Sequence, residues 1–336
     1  MKMLLKIIAI VFCCIVVLII VLVGLFMYQS YKMQKVGGKI VEWSDGDGTV
    51  YRNLRYGEGN RNCYDLFIPA NVTADALMLF IHGGGWIGGE KEDLEYEARR
   101  YAKMGYITAT INYTRIATDS IDYSSQYNAA CFPTMMNEIY ASVSAIKSKC
   151  EELGYDLTQM AIGGYSAGGH LAMLYAARYA TTSPLPVKFQ MSWVGPSDFN
   201  LLFPTDEKSL EQIAKGGQSD ALVQSIQDLK NLFYNATGEI PTIEQLTKER
   251  LEEIKRSVSP ADLVSDDTPP AILAYGGKDM LIRSLHGKRM ADALQKGSVD
   301  CMLVVFPNSG HELGQDKECT QAIIDAVTLY CNKYFD

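Results

Sequence analysis

Histidine is scarce in this chain, with four in 336 residues. Any chemistry that needs an imidazole must draw on His82, His170, His286 or His311. Basic excess is missing too: a net charge of −8 lacks the positive surface that a phosphate-backbone binder requires, so no nucleic-acid partner is expected. The eight cysteines follow neither zinc-ligand spacing nor a compact disulfide framework, so no metal is expected of them. Most suit the role of small buried hydrophobes. No internal repeat is visible. What remains is the composition of a globular protein, 48% hydrophobic and 21% charged, in a length that admits one large domain or two ordinary ones.

The first residues break that pattern. No charge occurs from Ile7 to Tyr28. About 20 apolar residues span a hydrocarbon core about 30 Å thick, whereas a cleaved signal peptide has an apolar region of about 7–15. No small-x-small cleavage site follows, since Leu25, Phe26, Met27 and Tyr28 are bulky. The run therefore predicts a single-pass anchor over 1–30 that contacts the lipid bilayer. Lysines flank it on both sides, so the positive-inside rule gives a tie. The short N-terminal tail favours a catalytic domain on the extracytoplasmic side.

Residues 31–59 are polar and Gly-rich, and predict a tether followed by an entry turn or short strands. From residue 60 to 336 the pattern alternates. Strands are expected at Tyr64–Ile68, Ala76–Ile81, Tyr106–Asn112, Met160–Gly163, Val187–Val194, Ala271–Tyr275 and Cys301–Phe306. Helical periods lie between them, over Glu90–Lys103, Pro133–Glu152, Gly168–Tyr179, Ser284–Gln295 and a last stretch ending near Tyr334. Such alternation predicts an α/β fold with a mostly parallel central sheet and helices on both faces. Residues 199–256 interrupt it with charged helical spacing and no clear strand, which predicts a helical cap insertion that is either a lid or a surface elaboration.

Two glycine-rich motifs carry chemistry. Gly164-Tyr165-Ser166-Ala167-Gly168 lies between an expected strand and an expected helix. Glycines on either side let a serine sit on a strained turn that lifts its hydroxyl above the sheet edge, the arrangement of a nucleophile. His82-Gly83-Gly84-Gly85-Trp86 follows the buried strand Ala76–Ile81. Its bare backbone N–H groups, with that of Ala167, suit an oxyanion hole. No Gly-Lys-Ser/Thr follows, which disfavours a phosphate loop. His82 and Gly83 are expected to hold the loop's shape.

Elimination selects the base and the acid. His82 belongs to the glycine loop, His170 is carried away by the helix after Ser166, and His286 is placed on an exposed helix. His311 follows the strand Cys301–Phe306 and a turn, so it reaches the edge where Ser166 sits. The acid must follow another strand there. Asp279 does so through Gly276-Gly-Lys, whereas Asp262, Asp266, Asp267 and Asp300 precede strands. The order Ser, Asp, His is that of the α/β-hydrolases.

Taken together, HGGGW, GYSAGGHLA, Ser259-Pro260, Pro269-Pro270 before a strand, GGKD and SGHE resemble the hormone-sensitive-lipase-like and feruloyl-esterase-like (BD-FAE) branch of the α/β-hydrolase esterases. The likeness runs from about Tyr64 to the C-terminus and leaves out the expected anchor, the tether and most of the cap. It implies an α/β-hydrolase fold, the triad Ser166, Asp279 and His311, and oxyanion donors from Gly84, Gly85 and Ala167. It also implies a small-molecule ester substrate and no cofactor. That branch often has Asp or Glu after the first Gly of the serine motif, where this chain has Tyr165. Trp86 and Tyr165 are candidates for the substrate pocket. Amide-directed relatives, such as a formamidase or an exopeptidase, would share every residue named, and a non-catalytic binding protein on the same fold is a further alternative.

Overall fold

A computed structural model describes residues 37–116, 130–204, 208, 210, 211 and 220–335. Eight strands form one sheet: β1 (Gly48–Arg55), β2 (Cys63–Pro69), β3 (Ala76–Ile81), β4 (Ile107–Ile111), β5 (Gln159–Tyr165), β6 (Val187–Trp193), β7 (Ala271–Gly276) and β8 (Cys301–Phe306). Their order is β1-β2-β4-β3-β5-β6-β7-β8. β2 is antiparallel to both β1 and β4, and every later pairing is parallel. The sheet begins before residue 60, because β1 lies in the stretch read as tether and entry, where short strands were one expectation.

The helices are α1 (Glu95–Ala102), α2 (Phe132–Glu152), α3 (Ala167–Tyr179), α4 (Phe199–Leu202), α5 (Asp220–Thr237), α6 (Lys248–Ser257), α7 (Leu285–Lys296) and α8 (Lys317–Tyr334). Pro133 sits in the first turn of α2, where its missing N–H costs nothing. Asp198 caps α4 by accepting from the N–H groups of Asn200 and Leu201.

Side chains of β3 alternate between two cores, as a period of two demands. Leu77, Leu79 and Ile81 pack with α2 and α3. Met78 and Phe80 pack with α1, and the same core takes in Ile323 and Val327 of α8. Helix α7 joins α3 against β7 through Met290, Leu294 and Leu273. The central strands are thus buried on both faces, which is why β3 and β7 read as continuous apolar runs.

The expectation of a membrane anchor, and with it the bilayer contact and the extracytoplasmic location, is corrected. Among the described residues no helix is long and apolar enough to cross a membrane. The longest, α2, α5 and α8, each carry Lys, Asp or Glu along their length. The apolar run Ile7–Tyr28 itself lies outside the described residues.

Candidate active site

Because β3 and β5 to β8 run parallel, their C-terminal ends share one edge of the sheet. Ile81 stands beside Gly164, Tyr165 beside Trp193, and Gly276 beside Phe306. The segments holding His82, Ser166, Asp279 and His311 all leave from this edge, where ligands bind in parallel α/β sheets.

Ser166 alone separates β5 from α3, so the whole change of direction falls on one residue. Its backbone has φ 54° and ψ −119°, a strained conformation for a side chain, worth on the order of 1–3 kcal/mol. Two hydrogen bonds hold it: Ser166 N–H donates to Trp193 O at 2.8 Å, and His170 N–H donates to Ser166 O at 3.0 Å. The turn presses α3 against β3 so closely that a Cβ on Gly168 would lie 1.9 Å from Ile81 O.

His311 Nε2 lies 3.0 Å from Ser166 Oγ, and its Nδ1 lies 2.7 Å from Asp279 Oδ2. The other oxygen of Asp279 accepts the N–H groups of Leu281 and Ile282 at 2.8 and 2.9 Å. Burial pushes this carboxyl up, but the hydrogen bonds from His311 and the two amides outweigh it and hold the carboxyl below its ordinary range. An ionised carboxylate only accepts, so Nδ1 carries the proton and Nε2 is left to accept from the serine hydroxyl. The loop bearing His311 is anchored by Asp316, which accepts from Ser309 Oγ at 2.6 Å and Asn308 Nδ2 at 2.9 Å.

The glycine loop folds back on itself, with Gly84 O accepting from Gly88 N–H at 2.8 Å and Ile87 N–H at 3.1 Å. Gly84 and Gly85 have φ +102° and +61°, a region that a side chain makes costly. Ala167 opens α3, so its N–H is one of the donors a helix leaves unpaired at its start. His82 is buried under the loop. Its Nδ1 meets Gly83 O at 2.7 Å, Arg61 Nη2 stands 3.3 Å from its Nε2, and its ring stacks on Tyr113 at 4.3 Å between centroids. Arg61 and Tyr113 were missed from the sequence, where nothing links either residue to the glycine loop.

A groove of about 550 Å³ opens over Ser166 and His311, walled by Gly83, Gly84, Gly85, Tyr165 and Leu281. Gly85 also borders a second cavity of about 590 Å³, whose walls include Trp86, Phe199, Leu229 and Leu232. Trp86 lines that apolar cavity while its indole N–H is bonded to His170. Tyr165 lines the groove, but its hydroxyl donates to His311 O at 2.5 Å. His286 is buried rather than exposed: α7 turns it inward to accept from Ser197 N–H at 3.3 Å. Among the described residues, no three His, Cys, Asp or Glu side chains gather into a metal-binding group.

The BD-FAE family model matches residues 64–294. Isoprenylcysteine alpha-carbonyl methylesterase ICME of Arabidopsis thaliana is 23% identical over 264 residues, covering 78% of this chain and 56% of that protein. Esterase LipI of Mycobacterium tuberculosis is 24% identical over 211 residues, covering 61% of this chain and 56% of its own. The chain therefore spans little more than half the length of these relatives. Among solved structures, a truncated carbohydrate esterase from gut microbiota superposes with a TM-score of 0.62 at 16% identity, covering 88% of this chain and 99% of its own. The fold is that of the α/β-hydrolases.

Proposed function

Since the chain belongs to the BD-FAE family, we propose that it is a serine hydrolase that cleaves carboxylic esters of small molecules through an acyl-enzyme. One observation carries the reading: Asp279, His311 and Ser166 form a single hydrogen-bonded row with spacings of 2.7 and 3.0 Å. Ser166 is the nucleophile, His311 the base and Asp279 the acid that orients the imidazole.

In this mechanism the Ser166 hydroxyl attacks the ester carbonyl as its proton passes to His311 Nε2. The carbonyl oxygen takes the negative charge and is held by the N–H groups of Gly84, Gly85 and Ala167, where loss of one donor typically costs about 10²–10³ in rate. Collapse expels the alcohol, which leaves with the proton from His311. Water, activated by the same imidazole, then releases the acid and restores the serine. The charge that forms on His311 faces a buried carboxylate already kept ionised, so the stabilising partner is in place before the reaction begins. His82 and Gly83 hold the glycine loop in shape.

Segment 199–256 is assigned as a cap on this site. Its helices α5 and α6 and the short α4 supply most of the wall of the apolar cavity beside Trp86, which receives one side of the ester. An amide-directed hydrolase would use the same row of groups. The relatives described above are a methylesterase and an esterase, which favours esters.

A fluorophosphonate probe tests the assignment. It is expected to label the wild-type protein and not Ser166→Ala, and labelling that persists in the variant would displace the nucleophile. A chain-length series of nitrophenyl esters, run beside acetylated sugars and formyl amines, separates ester from amide cleavage. Turnover of the amides alone would replace the esterase reading.

A further inference from the structure

We propose that Tyr165, braced by Lys39 of the segment ahead of β1, is a positioning residue for the imidazole of His311; this deepens the reading of the site given above and rests on it. The hydroxyl of Tyr165, the residue before Ser166, has a defined job. It donates to the backbone carbonyl of His311 at 2.5 Å, and its ring stands edge-on to the imidazole at 6.0 Å between centroids. Burial pushes the phenol well above its ordinary range, so it stays a donor.

The loop it grips requires such a hold. Leu313, two residues after His311, has φ 51°, which a branched side chain adopts only when its surroundings impose it. Asp316 ties the loop from its far side through Asn308 and Ser309. Tyr165 ties it at the histidine itself.

Lys39 completes the brace. Its ammonium lies 4.6 Å from the centre of the Tyr165 ring and 3.1 Å from Glu312 Oε2, on the residue next to His311. One cation thus presses on both the tyrosine and the loop that the tyrosine holds. The segment bearing Lys39 is itself fastened to α1, since Arg100 donates to Gly38 O and Arg99 donates to Val41 O at 3.1 Å. Residues 37–41 lie outside the stretch matched by the family model, 64–294, and Lys39 among them lines the catalytic groove.

The test is steady-state kinetics on a nitrophenyl ester, with the rate of fluorophosphonate labelling measured in parallel on the full chain. Removing one contact that positions a reacting group is expected to lower kcat of Tyr165→Phe about tenfold and to leave KM within about twofold. Labelling should slow in proportion, because the probe reports the serine–histidine pair without the substrate's binding energy. Lys39→Met is expected to lower kcat by a smaller factor, and Lys39→Arg to restore it. Wild-type kcat in Tyr165→Phe would overturn the proposal, as would an effect confined to KM or hydrolysis that falls while labelling does not. Should Tyr165→Phe fail to fold, the Lys39→Met and Lys39→Arg pair decides, with rescue by Arg supporting the brace and equal rates in both overturning it. Labelling lost in Ser166→Ala keeps the hydrolase reading standing whichever way the Tyr165 result falls.

Discussion

The indole N–H of Trp86 donates to Nδ1 of His170 across 3.3 Å, and the opposite ring nitrogen of His170 meets Val258 O at 2.9 Å. A ring that accepts on one nitrogen and donates on the other is neutral. Burial drives His170 down to about 4, against an ordinary value of 6.5, and does the same to His82 and His286.

A pH dependence of stability follows with a definite sign. Each depressed histidine binds its proton more readily when the chain unfolds, so its contribution is fully present above 6.5 and is lost as pH falls towards 4. Within that window each additional proton bound on unfolding costs up to about 1.4 kcal/mol per pH unit. Urea unfolding at neutral pH and near pH 5 checks this, and equal stability at the two would mean the three rings are not neutral in the fold.

Asp279→Asn keeps the shape of the side chain but cannot be ionised, so the imidazole loses both its tautomer preference and the partner for its charge. A fall in kcat of about 10³–10⁴ is expected, with little change in KM. The carboxyl is held below its ordinary value of 3.8. Its contribution to stability is present above that value and lost as pH drops through the lower folded one. The variant should flatten the acid limb of the stability profile, measured by thermal melts between pH 5 and pH 2.

Two neighbouring glycines should respond differently to alanine. At Gly84 a Cβ would meet the backbone carbonyl carbon of Gly88 at 2.4 Å, so the loop must move, and both melting temperature and activity should drop. At Gly85 the nearest atom would be a side-chain carbon of Ile87 at 3.9 Å. Only the positive φ then counts, and the cost should be about 1–2 kcal/mol. Melting curves of the two variants check the order, and a Gly85→Ala protein less stable than Gly84→Ala would contradict the described loop.

Leu232→Trp fills the apolar cavity beside Trp86 without touching the Ser166–His311 pair. Bulky esters are expected to lose about tenfold or more in kcat/KM, while acetate esters keep theirs. A nitrophenyl ester series on this variant reads the difference. Uniform loss along the series would mean the cavity does not receive the substrate.

How much was legible beforehand depends on how local the signal is. Strand β3 has the expected ends and β7 extends one residue beyond Tyr275, because a strand buried on both faces writes its length as an apolar run; β8, at the edge of the sheet and only partly buried, has the expected ends as well. The serine motif and the glycine loop were legible because backbone packed this tightly admits only glycine. Once the strands were known to be parallel, the edge to which Ser166, Asp279 and His311 belong followed from which residues come after a strand. The inward turn of His286 was legible but not read: it stands four residues before Met290 and eight before Leu294, on the face of α7 that packs into the core.

The alternation of strand and helix, the sharp turn at Ser166 and the chain order of Ser166, Asp279 and His311 are written locally, in runs and motifs a few residues long. The distances among them, the reach of Tyr165 to the carbonyl of His311 and the place of Lys39 beside both arise only when the chain packs. Those contacts join residues from 32 to 273 positions apart. They leave no period and no motif in the chain, because what fixes them is the packing of α1, α3 and the loop after β8 around one edge of the sheet.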